Sequence, residues 1–110
     1  MNDKEVLAAL YATVENRRDN PTEGSYTCYL LNEGIDKILK KVGEECSETI
    51  IAAKNNDNGE TVYEVADLLY HLTVMLVKQG IPLDDVLAEL DKRTEKTGNL
   101  KTFHKVDKNT

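Results

Sequence analysis

The chain has 110 residues and a formal net charge of −6, from 14 basic and 20 acidic side chains. This length favours one small domain. The negative charge argues against a general nucleic-acid binder, because phosphate backbones are held mainly by basic patches. No apolar run approaches the roughly 18 residues of a membrane span. The N-terminus is too acidic for a signal peptide. We therefore expect a cytoplasmic protein with no nucleic-acid or membrane partner.

Helical spacing of apolar residues begins near the N-terminus. It predicts a first helix over residues 3–18, with Asp3 placed to cap its start. Residues 20–25 contain Asn, Pro, Gly and Ser and are typical of a loop. A short apolar piece over residues 26–31 then fits one or two helical turns.

The longest periodic segment covers residues 35–55 and predicts an amphipathic helix. Its apolar residues recur on one side, at Ile35, Ile38, Leu39, Val42, Cys46, Ile50 and Ala53. Gly43 lies inside this segment and is interpreted as a close packing contact. Cys28 and Cys46 have neither a CxxC nor a zinc-site spacing, so we expect reduced, buried thiols.

The second half of the chain predicts two more helices. A turn at residues 55–59 (NNDNG) precedes a helix over residues 60–79, which ends at a Gly-Ile-Pro sequence. The last helix carries an apolar stripe of Leu83, Val86, Leu87 and Leu90. Residues 97–110 lose this periodicity and are expected to form a mobile tail.

The helix over residues 60–79 predicts an oligomer. From residue 68 to residue 77 it is apolar on nearly every side, interrupted by His71, interpreted as structural, and Thr73. The few short helices of one small chain can hardly cover such a helix. The predicted fold is therefore an all-α bundle of four to five helices, one domain over residues 1–96, with its core completed by homodimerisation.

Acidic residues form a stripe of their own beside the apolar one. Glu44, Glu45 and Glu48 share an arc of about 100° on one helix, and an ExxD pair, Glu64 and Asp67, follows on the next. In an antiparallel hairpin Glu48 and Glu64 each lie eight residues from Asn56, and Glu45 and Asp67 each lie eleven residues from it. The two pairs are therefore expected to face each other.

Carboxylates that meet at one level repel each other, and the cluster is tolerable if protons are retained or divalent cations bind. Oxygen ligands favour Mg²⁺ or Mn²⁺, and Mg²⁺ is usually held by carboxylates together with substrate phosphates. The pattern thus indicates hydrolysis of a phosphoanhydride. Lysines 37, 40, 41 and 54 flank the acids and could hold phosphate oxygens. The alternative is a solvated helix surface with ordinary ion pairs.

Four segments carry a family resemblance: GSYTCYLLNEG, GIDKILKKVGEECSETIIAAKN, EVADLLYHLTVML and DVLAEL. Over residues 24–93 the chain resembles phosphoribosyl-ATP pyrophosphatase, of the all-α nucleotide pyrophosphohydrolase (MazG-like) superfamily. The resemblance implies hydrolysis of 1-(5-phosphoribosyl)-ATP to 1-(5-phosphoribosyl)-AMP and pyrophosphate, the second step of histidine biosynthesis, with Mg²⁺. The family is often fused to a cyclohydrolase domain, and here we expect a stand-alone enzyme.

The resemblance also implies roles for single residues. The metal ligands would be Glu45, Glu48, Glu64 and Asp67. Glu44 is a candidate for orienting or deprotonating the water, and equally for a further ligand. The phosphate-binding residues would be Lys37, Lys41 and Lys54. The residues that close over the substrate would be Ser25, Tyr26 and Thr27.

Two other functions stay open at this point. One is a housecleaning pyrophosphohydrolase of the same fold that acts on noncanonical or deoxynucleoside triphosphates, against which the GSYT segment argues by resemblance. The other is a noncatalytic helical dimer whose acidic stripe binds a basic partner.

Overall fold

The computed structural model describes residue 2 and residues 5–95, and five helices account for most of them. The helices are α1 (Val6–Asp19), α2 (Tyr26–Glu33), α3 (Ile35–Lys54), α4 (Asn58–Gln79) and α5 (Leu83–Thr94). The described part contains no strand, so the predicted all-α fold is confirmed. The predicted cap Asp3 and the predicted tail over residues 97–110 lie outside the described residues.

The turn between α3 and α4 sets how the two helices face each other. Asn56, the predicted centre of the hairpin, has a left-handed backbone with φ of 57°. The N–H of Asp57 donates to the carbonyl of Ala52 and that of Asn56 to Ala53, the Schellman arrangement that ends a helix. The Asp57 side chain then accepts from the N–H of Glu60 at 3.0 Å. This cap starts α4 at Asn58, two residues before the predicted start.

α3 and α4 form the most extensive helix pair, with α1 packed on α4 and α2 on α3. The buried apolar core consists of Val14, Leu30, Leu31, Ile38, Val74 and Val77. The Tyr11 hydroxyl donates to the carbonyl of Ile81 at 2.7 Å and fastens α1 to the end of α4. At that end Gly80 adopts φ of 72°, a left-handed cap that glycine takes without strain.

Part of the predicted apolar stripe of α3 is exposed in the single chain. Leu39, Cys46, Ile50 and Ala53 are exposed, whereas Ile38 is buried. Both cysteines are free, but Cys46 is exposed and Cys28 half-buried, so the prediction of buried thiols is wrong for Cys46. No helix in the described part of the chain is long and apolar enough to cross a membrane.

Gly43 makes none of the close contacts predicted for it. A Cβ at this position would meet nothing within 4 Å apart from its own helix and its chain neighbours. The packing interpretation therefore fails among the described residues.

We expect Gly43→Ala to stabilise the protein by about 0.5–1 kcal/mol, because alanine loses less backbone entropy than glycine inside a helix. Urea unfolding followed by circular dichroism measures this. A destabilised Gly43→Ala variant would show that something packs against Gly43 after all.

Candidate metal and phosphate site

Acidic side chains from α3 and α4 meet at the middle of their contact. One carboxylate oxygen from each of Glu45, Glu48 and Glu64 lies within 4.8 Å of the others. A ligand atom from each of Glu45, Asp67 and His71 also lies within 4.8 Å of the others. The structure therefore brings the four predicted metal ligands together, with Glu45 common to both groups. We call these four residues the carboxylate cluster.

Two members of the carboxylate cluster are buried, and each has one oxygen without a hydrogen-bond partner. Glu45 is 4% exposed and Glu64 is 8% exposed. The Oε1 atom of each accepts no hydrogen bond. A buried carboxylate oxygen without a partner is costly. An all-oxygen donor set with two oxygens free to coordinate fits a hard divalent cation such as Mg²⁺ or Mn²⁺.

Burial and mutual repulsion shift the titration of these acids. Burial, with the neighbouring carboxyls of Asp67 and Glu48, raises the pKa of Glu45 to about 8. Burial also raises the pKa of Glu64, and the Glu60 carboxyl beside it acts in the same direction. Without a cation, the carboxylate cluster therefore retains a proton near neutral pH.

His71 borders the carboxylate cluster and was not among the predicted site residues. Its Nδ1 lies 2.8 Å from the carbonyl oxygen of Asp67 and 3.4 Å from Asp67 Oδ1. Since a carbonyl only accepts, Nδ1 carries a proton, and Nε2 shares a hydrogen bond of 3.1 Å with the Tyr26 hydroxyl. A structural role agrees with this burial and bonding. In the sequence, His71 follows Asp67 by four residues and so lies on the same helix face, which is the signal that identifies it as a neighbour of the site.

The GSYT segment docks α2 onto α4. Ser25 caps α2 by accepting from the N–H of Cys28 at 3.1 Å, and Thr27 hydrogen-bonds through Oγ1 to the Tyr70 hydroxyl. The ring of Tyr26 is stacked with the rings of Tyr29 and Tyr70, and its centroid lies 6.1 Å from each of theirs. Of the three predicted substrate contacts, Tyr26 reaches the edge of the carboxylate cluster through its hydrogen bond to His71.

The predicted phosphate-binding lysines differ in their positions. Lys41 Nζ lies 3.2 Å from Glu44 and 3.9 Å from Glu45, and the hydrogen bond to Glu44 raises the pKa of Lys41. Lys37 lies over the Tyr29 ring, with Nζ 5.8 Å from the centroid. Lys54 is exposed in the last turn of α3 and forms no ion pair with the described acids. The structure thus brings Lys41 to the cluster but not Lys54.

Comparison with known proteins supplies the family. The sequence profile of the phosphoribosyl-ATP pyrophosphohydrolase family matches residues 7–94. The chain belongs to this family. The resemblance seen in the sequence motifs is thereby confirmed, and so is the predicted enzyme class, a hydrolase that acts on a phosphoanhydride.

Individual relatives agree with this assignment. A Clostridium botulinum protein named phosphoribosyl-ATP pyrophosphatase is 52% identical over 105 residues, covering 96% of each chain. A Limosilactobacillus fermentum protein of the same name is 60% identical over 87 residues, 79% of this chain and 82% of that one. A histidine biosynthesis bifunctional protein from Caldanaerobacter subterraneus is 55% identical over 92 residues, 84% of this chain and 45% of that protein.

The raised pKa of Glu45 predicts how the stability of the metal-free protein depends on pH. Between its ordinary pKa of 4.5 and about 8, only the folded chain keeps this proton. The stabilisation of the folded chain by this proton is therefore complete below pH 4.5 and is lost as the pH rises through 8. In EDTA, Glu45→Gln should raise the free energy of unfolding at pH 8.5 by about 1 kcal/mol or more, since a tenfold difference in proton affinity between the folded and unfolded chains corresponds to ~1.4 kcal/mol.

Urea unfolding at pH 5.5 and pH 8.5 measures this effect, with Glu33→Gln on the exposed end of α2 as the matched control. If Glu45→Gln and Glu33→Gln responded equally to pH, the buried carboxyl would not be titrating as described.

Proposed function

We propose that the protein hydrolyses 1-(5-phosphoribosyl)-ATP to 1-(5-phosphoribosyl)-AMP and pyrophosphate, the second step of histidine biosynthesis. The observation that carries this proposal is the carboxylate cluster between α3 and α4, with its two buried oxygens that accept no hydrogen bond. Family membership and the names of the relatives support the same reaction. The cytoplasmic location and the single domain over residues 1–96 remain predictions.

The carboxylate cluster is proposed to hold one or more divalent cations, Mg²⁺ or Mn²⁺. When bound, such a cation neutralises phosphate oxygens and stabilises the departing pyrophosphate. Glu45 and Glu64 are buried between two packed helices. Glu48 is exposed and Asp67 half-buried, so the substrate side of the cluster is open.

Glu44 is proposed to orient the attacking water and to take its proton. Its side chain is 46% exposed at the rim of the cluster, and Lys41 lies 3.2 Å away. The water oxygen forms a bond to the α-phosphorus, the bond from that phosphorus to the α–β bridging oxygen breaks, and pyrophosphate leaves. The proton passes to the Glu44 carboxylate, and Lys41 balances the charge that remains on the phosphates.

The other predicted substrate contacts are proposed to act around this centre. Lys37 lies one helical turn before Lys41 and can approach the triphosphate, and the half-exposed ring of Tyr26 offers a surface for the nucleoside. Ser25 and Thr27 hold that ring in place through the α2 cap and the bond to α4. Lys54 stays a predicted phosphate ligand without a contact to the cluster.

The proposed reaction is tested by measuring pyrophosphate release from phosphoribosyl-ATP with Mg²⁺, beside a panel of deoxynucleoside triphosphates. We expect metal-dependent release from phosphoribosyl-ATP, and a loss of kcat of about 10²-fold or more in Glu48→Gln, because one ligand of the charge-stabilising cation is weakened. Glu33→Gln serves as the matched control and should retain full activity.

Release from the deoxynucleotides alone would instead identify a housecleaning pyrophosphohydrolase. Absence of release from every substrate would favour the noncatalytic acidic dimer. Full activity of Glu48→Gln would remove Glu48 from the metal site.

We also propose that the protein is a homodimer in which a second copy covers the exposed apolar surface of the α3–α4 hairpin. This surface consists of Leu39, Ile50, Ile51, Val62, Tyr63, Val65 and Leu69, and its most exposed member, Val62, is 70% exposed. Ile50 and Val62 lie equally far from Asn56, so they stand at the same height on neighbouring helices. Apolar residues grouped in this way on two packed helices are typical of an interface.

Val62→Glu should convert the dimer to a monomer, since burying an unpaired charge in an apolar interface is costly. The control is Val6→Glu, the same change at an exposed valine of α1, which should leave the dimer intact. Light scattering after size-exclusion chromatography gives both masses. A monomeric wild-type protein, or an unaffected Val62→Glu dimer, would contradict this interface.

A further inference from the structure

A second concave surface lies apart from the carboxylate cluster. It is a cavity of about 880 Å³ between the end of α1, the loop over residues 20–25, α2 and the end of α4. Its size falls in the range of small-ligand sites. Of the described residues that line this cavity, none belongs to the carboxylate cluster. The reaction described above uses Ser25 and Tyr26 of its lining and assigns no role to its charged residues.

The cavity is lined by three cations, Arg17, Arg18 and Lys78, against one acid, Glu23. The protein has a net charge of −6, so this lining is a local excess of positive charge. Such a surface is a candidate site for an anion. We call this concave surface the basic cavity.

The three cationic side chains differ in their ion pairs and hydrogen bonds. Arg18 Nε lies 2.8 Å from Asp19 Oδ1, and Lys78 Nζ donates to the carbonyl of Leu31 at 3.2 Å. Arg17 makes one long hydrogen bond, of 3.4 Å, to the neutral amide oxygen of Asn16. Arg17 has no carboxylate partner among the described residues, and its planar guanidinium is suited to a phosphate.

Tyr26 connects the basic cavity to the carboxylate cluster. Its ring lines the cavity beside Tyr29, and its hydroxyl bonds to His71, which lies against Asp67. Asp67 and Lys78 are eleven residues apart on α4, about 16 Å at the rise of an α-helix. The two charged sites are thus separated by an aromatic surface.

The proposed substrate has the same order of groups. It carries a triphosphate at one end and, on the ribose attached to position 1 of its adenine, a separate 5-phosphate at the other. An adenosine and a second ribose lie between these anionic ends. Aromatic side chains provide faces on which a base can stack.

We propose that the basic cavity binds the 5-phosphate of the second ribose, with Arg17 as its main ligand and Lys78 as a supporting charge. The adenine then lies against Tyr26 and Tyr29 while the triphosphate reaches the carboxylate cluster. This inference rests on the proposed function. It makes Arg17 a specificity-determining residue, because nucleoside triphosphates lack the second anionic end.

The test is the steady-state kinetics of Arg17→Gln with phosphoribosyl-ATP. We expect KM to rise about 10-fold or more, as a charge-assisted hydrogen bond is lost. We expect kcat to be nearly unchanged, because the proposal places Arg17 at the 5-phosphate and not at the reacting phosphorus. Arg17→Lys keeps the charge but loses the planar fork and should recover part of the affinity. Lys92→Gln, an equal change of charge on exposed α5, is the control.

Product inhibition separates the two ends of the substrate. Phosphoribosyl-AMP retains the 5-phosphate, so its inhibition constant should rise in Arg17→Gln, whereas that of pyrophosphate should not. Thermal unfolding of each variant shows whether the fold is intact.

An unchanged KM in a folded and active Arg17→Gln enzyme would overturn this inference and leave the proposed reaction standing. Equally weakened binding of both products to Arg17→Gln would also overturn it, since Arg17 would then affect the whole site. A wild-type protein without activity on phosphoribosyl-ATP would overturn the reaction and this inference together.

Discussion

The packing of α3 against α4 brings buried acidic side chains together. Glu45 and Glu64 each hold an oxygen that accepts no hydrogen bond, in a place where a lone carboxylate is costly. The cost is reduced by retention of a proton, which is why the pKa of Glu45 rises to about 8, or by a cation in its place. A protein that keeps such a cluster gives up stability in its metal-free state for the ability to bind charge.

The remaining elements hold this cluster in position. The turn at Asn56 and the Asp57 cap give the hairpin the register that places acids opposite acids. α2 contributes no carboxylate to the cluster, but its Tyr26 reaches His71 beside Asp67. A short helix and its preceding loop thereby connect the acidic site on one side with the basic cavity on the other.

Much of this arrangement was predictable from the sequence because it depends on local regularities. The apolar pattern predicted the long helices, with one or two helical turns where α2 lies. Equal distances from Asn56 predicted which acids would meet, since a tight turn leaves the hairpin little freedom. Glu44, Glu45 and Glu48 share a helix face through geometry alone. The start of α4 was missed because Asn58 and Gly59 favour turns, whereas the Asp57 cap draws both into the helix.

Other features depend on contacts between distant segments, which spacing does not describe. The Tyr26–His71 hydrogen bond joins residues 45 positions apart, and the basic cavity combines α1, a loop and the end of α4. The exposed stripe of α3 has a related cause. Its spacing gives an apolar face but not what covers that face, and a residue such as Ile50 is buried only if another surface meets it.

If the four carboxylates of the α3–α4 hairpin form a divalent-cation site, the protein binds Mn²⁺ through them. Titration of the isolated protein, with free Mn²⁺ followed by electron paramagnetic resonance, should give saturable binding that is weakened at least about 10-fold in Glu64→Gln. Glu33→Gln should bind like the wild type. Equal affinity in Glu64→Gln, or absence of saturable binding in the wild-type protein, would show that the four carboxylates do not form a cation site.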